Sequence, residues 1–222
     1  MPKQFSKSAI SCMALIAIIA WLALSLQFYI LVKNAEANSL TRLQAAGRFF
    51  GFFTILTNLL VAVSLSFILL KPVSYFGRFF SKPSTIAAIA LYIFIVGLVY
   101  NIILRFIWEP TGLQKWVDEA LHVGIPLLFV LYWLLFVPKG SLKWIYPFRW
   151  LIYPAIYLLY ALCRGVFFGF YAYPFINVQN LGYNRVLLNT GGLMMVFIIT
   201  GFLFVGIDKL MSRSKAKSQV FS

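Results

Sequence analysis

The sequence is poor in acidic and other titratable side chains. It has 222 residues, of which five are Asp or Glu, one is His and two are Cys. So few candidate ligands disfavour a metal site, and neither a metal nor another cofactor is expected. Cys12 and Cys163 lie in separate apolar segments, which disfavours a disulfide framework. The chain also lacks a GxSxG elbow, a phosphate-binding glycine loop and a dinucleotide fingerprint, which excludes the enzyme classes that those motifs mark.

Hydrophobic residues, in contrast, dominate the chain. They make up 62% of it, charged residues make up 11%, and the mean hydropathy is +0.90, which excludes a soluble domain. About 20 apolar residues suffice to cross a bilayer as a helix. Six runs meet this length, at residues 9–32, 49–70, 85–107, 120–137, 150–170 and 186–207. They predict an all-α polytopic membrane bundle of six transmembrane helices, forming a single domain over residues 1–222.

The positive charges are sorted by loop. The net charge is +14, and twelve of the nineteen Lys and Arg lie in the two tails and in loops 71–84 and 138–149. Five lie in the alternate loops, so the positive-inside rule predicts that both termini are cytoplasmic. The basic stretch 209–217 is expected to meet anionic membrane lipids. The basic residues form no continuous face with stacking aromatics, so nucleic acid is not an expected partner.

Polar side chains inside the second and third predicted helices are candidates for a site. Thr54 and Asn58 are four residues apart, and Thr57 lies beside them, so all three share one helix face. They either hold helices together or belong to a site. Asn101 and Arg105 have the same spacing near the outer end of the third helix. Asn101 is expected to need a partner inside the bundle, whereas Arg105 reaches the interface or binds a substrate.

The single histidine, His122, is predicted to lie in the first turn of the fourth helix. Asp118 and Glu119 precede it by four and three residues, so either can orient the imidazole. A neutral imidazole held in this way suits a general base, and a hydrogen-bonded interfacial histidine is the structural alternative. Glu-x-x-His also resembles a di-metal ligand pair, but a second histidine is missing. Arg164, inside the fifth helix, needs an acid such as Asp118 or Glu119, or an anionic ligand.

Three segments carry a resemblance to a known family. They are FFGFFTILTNLL at residues 49–60, LHVGIPLLFVLYWLLFVPKG at 121–140, and YPAIYLLYALCRG followed by YAYPFINVQNLGY at 153–183. In order and spacing over about residues 45–190 they resemble the bacterial branch of the androgen-induced-protein family. Animal members of that family are integral-membrane hydrolases that cleave fatty acid esters of hydroxy fatty acids with a threonine and a histidine.

By motif position, the resemblance implies that Thr54 is the nucleophile and His122 the base, with Thr57 as the neighbouring alternative. It assigns no catalytic role to the remaining polar candidates, which are Asn58, Asn101, Arg105 and Arg164. We therefore expect a hydrolase of lipid-like esters in a bacterial inner membrane, in which Asn58 or Asn101 could donate to the oxyanion and Arg105 or Arg164 could hold a carboxylate. A transporter, disfavoured by the lack of an inverted repeat, and a non-catalytic scaffold are the alternatives.

Overall fold

A computed structural model describes residues 5–220, with side chains over residues 5–213. Within these residues the chain is helical and contains no strand. The α-helices are α1 (Lys7–Ala37), α2 (Arg42–Phe49), α3 (Phe53–Leu70), α4 (Tyr75–Phe80), α5 (Pro83–Ile102), α6 (Gly112–Glu119), α7 (Ile125–Phe136), α8 (Tyr146–Trp150), α9 (Ile152–Phe168) and α10 (Val178–Val220). Short 3₁₀ turns span Leu104–Phe106 and Pro174–Ile176, and a π-helical turn, Ala120–Gly124, joins α6 to α7.

Six helical segments are long and apolar enough to cross a membrane, which confirms the predicted fold class. They are Lys7–Ala37, Phe53–Leu70, Pro83–Phe106, Gly112–Phe136, Tyr146–Phe168 and Val178–Arg213. The fourth begins at Gly112, eight residues before the predicted start at residue 120. The irregular stretch before it includes Pro110 and ends at the N-cap residue Thr111, and the helix then starts with a charged segment, GLQKWVDE, that lowers the local hydropathy. His122 therefore lies ten residues into a continuous helical segment, and the prediction that it occupies a first turn is wrong.

The chain folds into two compact units, Met1–Val137 and Pro138–Ser222. In the first unit α1 packs against α3, and α5 packs against both α3 and α7. Small side chains on α1, among them Ala17, Ala20 and Ala23, are buried and let the helix backbones approach closely. All residues from Ile86 to Ile93 are buried, so α5 is the central helix of this unit.

Two hydrogen-bonded contacts fix the fourth span against α1. The side-chain amides of Gln27 and Gln114 bond reciprocally, with the shorter contact, Gln114 Nε2 to Gln27 Oε1, at 2.8 Å. Deeper in the unit, the buried Tyr132 hydroxyl donates to the sulfur of Met13 at 3.2 Å. A hydroxyl buried among apolar side chains is costly without an acceptor, so this contact favours one register of α7 against α1.

Pro126 accounts for the π-helical turn. In a regular helix its ring would collide with the carbonyl of His122, and it has no N–H to donate to that oxygen. The chain adds one residue to this turn instead, and the N–H of Ile125 bonds to the oxygen of Ala120, five residues earlier. The carbonyl of His122 is turned toward Gly97 on α5, where an added Cβ would lie 3.0 Å from it. The turn thereby sets which way His122 faces.

The second unit comprises α8, α9 and α10. Gly182 interrupts α10 near its start, with a φ of 72° that favours glycine. Asp208, buried near the other end of α10, accepts hydrogen bonds from the backbone N–H groups of Gly140 and Leu142 at 2.9 and 3.1 Å. It thereby fastens the loop that begins the unit. In the basic stretch 209–217, the side chains of residues 214–217 lie outside the described ones.

Candidate active site

Thr54 and His122 come into contact inside the first unit. The Oγ1 atom of Thr54 lies 3.2 Å from Nε2 of His122, although the residues are 68 positions apart in sequence. Thr54 is the second residue of α3, which begins just after a break at Gly51 and Phe52. The two side chains are buried, with 6% of Thr54 and 9% of His122 exposed. A hydroxyl and an imidazole at this distance can exchange a proton.

The other ring nitrogen decides which of the two atoms donates. Nδ1 of His122 lies 2.9 Å from the backbone oxygen of Asp118. A carbonyl oxygen can only accept, so Nδ1 carries a hydrogen. In the neutral ring Nε2 then has a free lone pair, and the Thr54 hydroxyl donates to it. The site is therefore arranged for Nε2 to remove a proton from Thr54, which is the relation between a general base and its nucleophile.

The two acidic residues before His122 have different partners. The carboxylate of Asp118 is buried, and its Oδ1 lies 3.6 Å from Nδ1 of His122. The carboxylate of Glu119 forms an ion pair with Arg105, at 2.8 Å between Oε1 and Nη2. Of the two candidates for orienting the imidazole, Asp118 is the one in contact with it, through both its backbone and its side chain. The ion pair holds Arg105, which follows α5, beside the last residue of α6, Glu119.

Tyr100 is a residue that the sequence analysis missed. Its ring stacks on the imidazole of His122, with ring centroids 4.1 Å apart and planes inclined by 15°. The guanidinium of Arg105 lies 5.1 Å from the centre of the same ring. Tyr100 therefore packs against both groups and holds the plane of the imidazole. A tyrosine in an apolar run gives no sequence signal that separates it from the lipid-facing aromatics.

Asn58 links α3 to the turn that carries His122. It is fully buried, and its Nδ2 donates to the backbone oxygens of Thr54, at 2.9 Å, and of Leu121, at 3.2 Å. Both amide hydrogens are used in this way. Asn58 therefore cannot donate to an oxyanion in this arrangement, contrary to one of the predicted roles. Instead it connects the residue bearing the hydroxyl to the residue preceding the imidazole.

The remaining predicted residues do not join this cluster in the way expected. Asn101 is exposed, and its amide donates to the oxygen of Gly97 on its own helix, so the prediction of a partner across the bundle is wrong. Arg164 lies in the second unit, with its guanidinium 4.8 Å from the centre of the Phe170 ring. Thr57 is buried in α3, but the hydroxyl in contact with the imidazole is that of Thr54.

The described residues contain no group of three or more His, Cys, Asp or Glu side chains that could hold a metal ion. Comparison of the chain with family models, with curated proteins and with solved structures gives no match. The relation to the androgen-induced-protein family therefore stays a prediction.

Proposed function

We propose that this protein is an intramembrane hydrolase of lipid-like carboxylic esters, with Thr54 as nucleophile and His122 as general base. The observation that carries the proposal is the 3.2 Å contact between Thr54 Oγ1 and His122 Nε2. The other ring nitrogen, Nδ1, donates its hydrogen to the backbone oxygen of Asp118. We further propose that the chain belongs to the bacterial branch of the androgen-induced-protein family and lies in a bacterial inner membrane with both termini cytoplasmic.

The first chemical step transfers the acyl group to the protein. Thr54 Oγ1 attacks the ester carbonyl while its proton passes to Nε2 of His122. The tetrahedral intermediate then collapses, the bond to the alcohol oxygen breaks, and the imidazolium returns the proton to that oxygen. Thr54 lies in the first turn of α3, where the partial positive charge of a helix N-terminus favours the negative charge that develops during the attack. Water afterwards hydrolyses the acyl-threonine ester.

The surroundings of the site favour a substrate that partitions into the bilayer. Thr54 and His122 lie within apolar spans, Phe53–Leu70 and Gly112–Phe136. An acyl chain reaching them comes from the hydrocarbon side at the least cost. Fatty acid esters of hydroxy fatty acids are one such class. Their free carboxylate would meet Arg105, whose side chain is 41% exposed beside Glu119.

The test uses purified protein in detergent with branched fatty acid esters. We expect turnover without any ion gradient, which a transporter would not give. Thr54→Ala and His122→Ala are each expected to lower turnover at least 10³-fold, whereas Thr57→Ala, the matched hydroxyl on the same helix, retains it. A fluorophosphonate probe is expected to label Thr54 in the wild type and not in His122→Ala. Full turnover by both alanine variants would refute the mechanism, and the absence of turnover and labelling in the wild type would favour a non-catalytic scaffold.

A further inference from the structure

The side-chain amide of Asn58 has hydrogen-bond partners for its nitrogen but, among the described residues, none for its oxygen. It is fully buried, and its two amide hydrogens are donated to the oxygens of Thr54 and Leu121. Its Oδ1 atom accepts no hydrogen bond. The amide is oriented correctly, because exchanging its nitrogen and oxygen would place Oδ1 against two carbonyl oxygens. The acceptor is therefore fixed in position by the same contacts that hold the amide nitrogen.

Two buried acceptor atoms near the Thr54–His122 pair have no hydrogen-bond partner among the described residues. Over the described side chains, three buried polar atoms have no hydrogen-bond partner, namely Asn58 Oδ1, Asp118 Oδ2 and Asp208 Oδ1. The first two belong to residues that contact Thr54 or His122. All three atoms are amide or carboxylate oxygens, which accept hydrogen bonds. A ligand of this site is therefore expected to bring hydrogen-bond donors, of which water is the smallest, since buried acceptors in folded proteins are almost always paired.

We infer that Asn58 Oδ1 accepts the second hydrogen of the water that hydrolyses the acyl-threonine ester. The inference rests on the proposed function. Thr54 is the neighbour shared by both groups, because its hydroxyl contacts Nε2 of His122 and its carbonyl contacts the amide of Asn58. A water molecule in this position gives one hydrogen to Nε2 and the other to Asn58 Oδ1, and its oxygen faces the acyl carbon.

The hydrolytic step balances with these groups alone. The water oxygen bonds to the acyl carbon while its proton passes to Nε2 of His122. The bond between that carbon and Thr54 Oγ1 then breaks, and Oγ1 takes the proton back from the imidazolium. The products are the free carboxylic acid and the restored threonine hydroxyl. Asn58 Oδ1 holds the second water hydrogen throughout and is not itself protonated.

This arrangement discriminates between water and an alcohol. Methanol has one O–H hydrogen, which must go to Nε2 for attack, so it has none left for Asn58 Oδ1. The hydrogen bond to Asn58 Oδ1 therefore contributes about fivefold to the preference of the wild-type protein for water over methanol. Replacing the acceptor at position 58 removes this contribution and leaves the Thr54–His122 pair in place.

The experiment measures acid and methyl ester formed together from one ester substrate in detergent containing methanol. Both products come from the same acyl-protein, so their ratio reports the second step and is independent of how fast the first step is. Asn58→Leu is expected to lower the rate and to shift the ratio about fivefold toward methyl ester. Asn58→Asp, as the buried protonated acid, keeps an acceptor oxygen and one hydrogen to donate to a carbonyl, so its rate falls while its ratio stays near that of the wild type. Asn101→Leu, which removes an exposed amide bonded to its own helix, is the control and changes neither.

Each outcome separates this inference from the proposed function. A lower rate for Asn58→Leu with an unchanged product ratio would mean that Asn58 only clamps the helices, which overturns the inference and leaves the hydrolase intact. An equal shift in Asn58→Asp and Asn58→Leu would also overturn it, because the retained oxygen would have no effect. Absence of both products from the wild type would refute the hydrolase itself, and this inference with it. Thermal unfolding of each variant verifies that it is folded.

Discussion

Gly97→Ala is the substitution that most directly tests whether packing of α5 positions His122. A methyl group at this site would lie 3.0 Å from the carbonyl oxygen of His122 and 3.3 Å from Cβ of Pro126. Neither neighbour is the free end of a flexible side chain, since one is backbone and the other belongs to a ring. The turn Ala120–Gly124 must therefore move away from α5 by a few tenths of an ångström.

The size of the effect can be worked out from that displacement. A misplacement of about 1 Å between reacting groups costs roughly 10²-fold in rate, so a shift of a few tenths is expected to lower kcat/KM about five- to tenfold. Overpacking of this kind also lowers the free energy of unfolding by about 1–3 kcal/mol. Such a movement displaces His122 relative to Thr54 while both side chains remain present. The loss is therefore expected in kcat rather than in KM.

The assay measures ester hydrolysis and the rate at which a fluorophosphonate probe labels Thr54, with thermal unfolding in detergent as the measure of folding. Gly192→Ala is the matched control, because an added Cβ there meets nothing within 4 Å. In the helix α10 that control is expected to leave activity unchanged and to stabilise slightly, as alanine does relative to glycine. If folded Gly97→Ala labels and turns over at the wild-type rate, the position of the turn does not limit the reaction.

Three further substitutions test other contacts. Tyr100→Leu removes the ring stacked on the imidazole and is expected to lower kcat about tenfold with KM unchanged. Tyr100→Phe keeps the stacked ring, so its kcat is expected to fall less. Equal losses of kcat in the two variants, measured by steady-state kinetics, would contradict a role for the ring. Asp118→Asn leaves the backbone oxygen that bonds Nδ1, so kcat should fall about 10–100-fold rather than the roughly 10⁴-fold seen for a triad aspartate. Asp208→Ala leaves two loop N–H groups without their acceptor and is expected to lower the free energy of unfolding by about 3 kcal/mol, with Asp208→Asn less affected in thermal unfolding.

The six spans were predictable because crossing a bilayer requires long runs of apolar side chains, and little else in a sequence has that property. The first residue of the fourth span was not predictable in this way. Residues 112–119 include Lys115, Asp118 and Glu119, which lower the hydropathy below that of a span. Those residues are helical because they continue a helix whose other end lies in the bilayer, and local composition does not report such continuity.

The contact between Thr54 and His122 was only partly predictable. The predicted order and direction of the six spans place the two residues at similar depths, as a prediction, and the resemblance selects the same pair. Depth alone does not say that α3 lies next to the turn Ala120–Gly124, nor that the imidazole faces α3 rather than lipid. Those facts depend on packing between segments far apart in sequence, such as the bridge from Asn58 to Leu121. The role of Gly97 was equally unpredictable from the sequence, because it depends on which atoms of another helical segment an added Cβ would contact.

The π-helical turn shows that a proline changes the backbone about one helical turn before its own position. The interruption at Pro126 was visible in the sequence, but its consequence falls four residues earlier, on the carbonyl of His122. An extra residue in a helix rotates the residues before it by about 100° relative to the residues after it, at 3.6 residues per turn. A regular helix through this turn would therefore orient the residues before it differently relative to α7.

The use of a backbone oxygen to hold Nδ1 of His122 suits a site at this location. A carboxylate that accepts Nδ1–H in a water-exposed active site is solvated, whereas one within a transmembrane span must be stabilised by the protein alone. The backbone oxygen of Asp118 fixes the tautomer without adding a full charge to the hydrogen bond. The carboxylate of the same residue lies 3.6 Å from Nδ1 and acts on the imidazole through its charge. That charge matters chiefly when the imidazole becomes protonated, so it favours the state formed during proton transfer over the resting one.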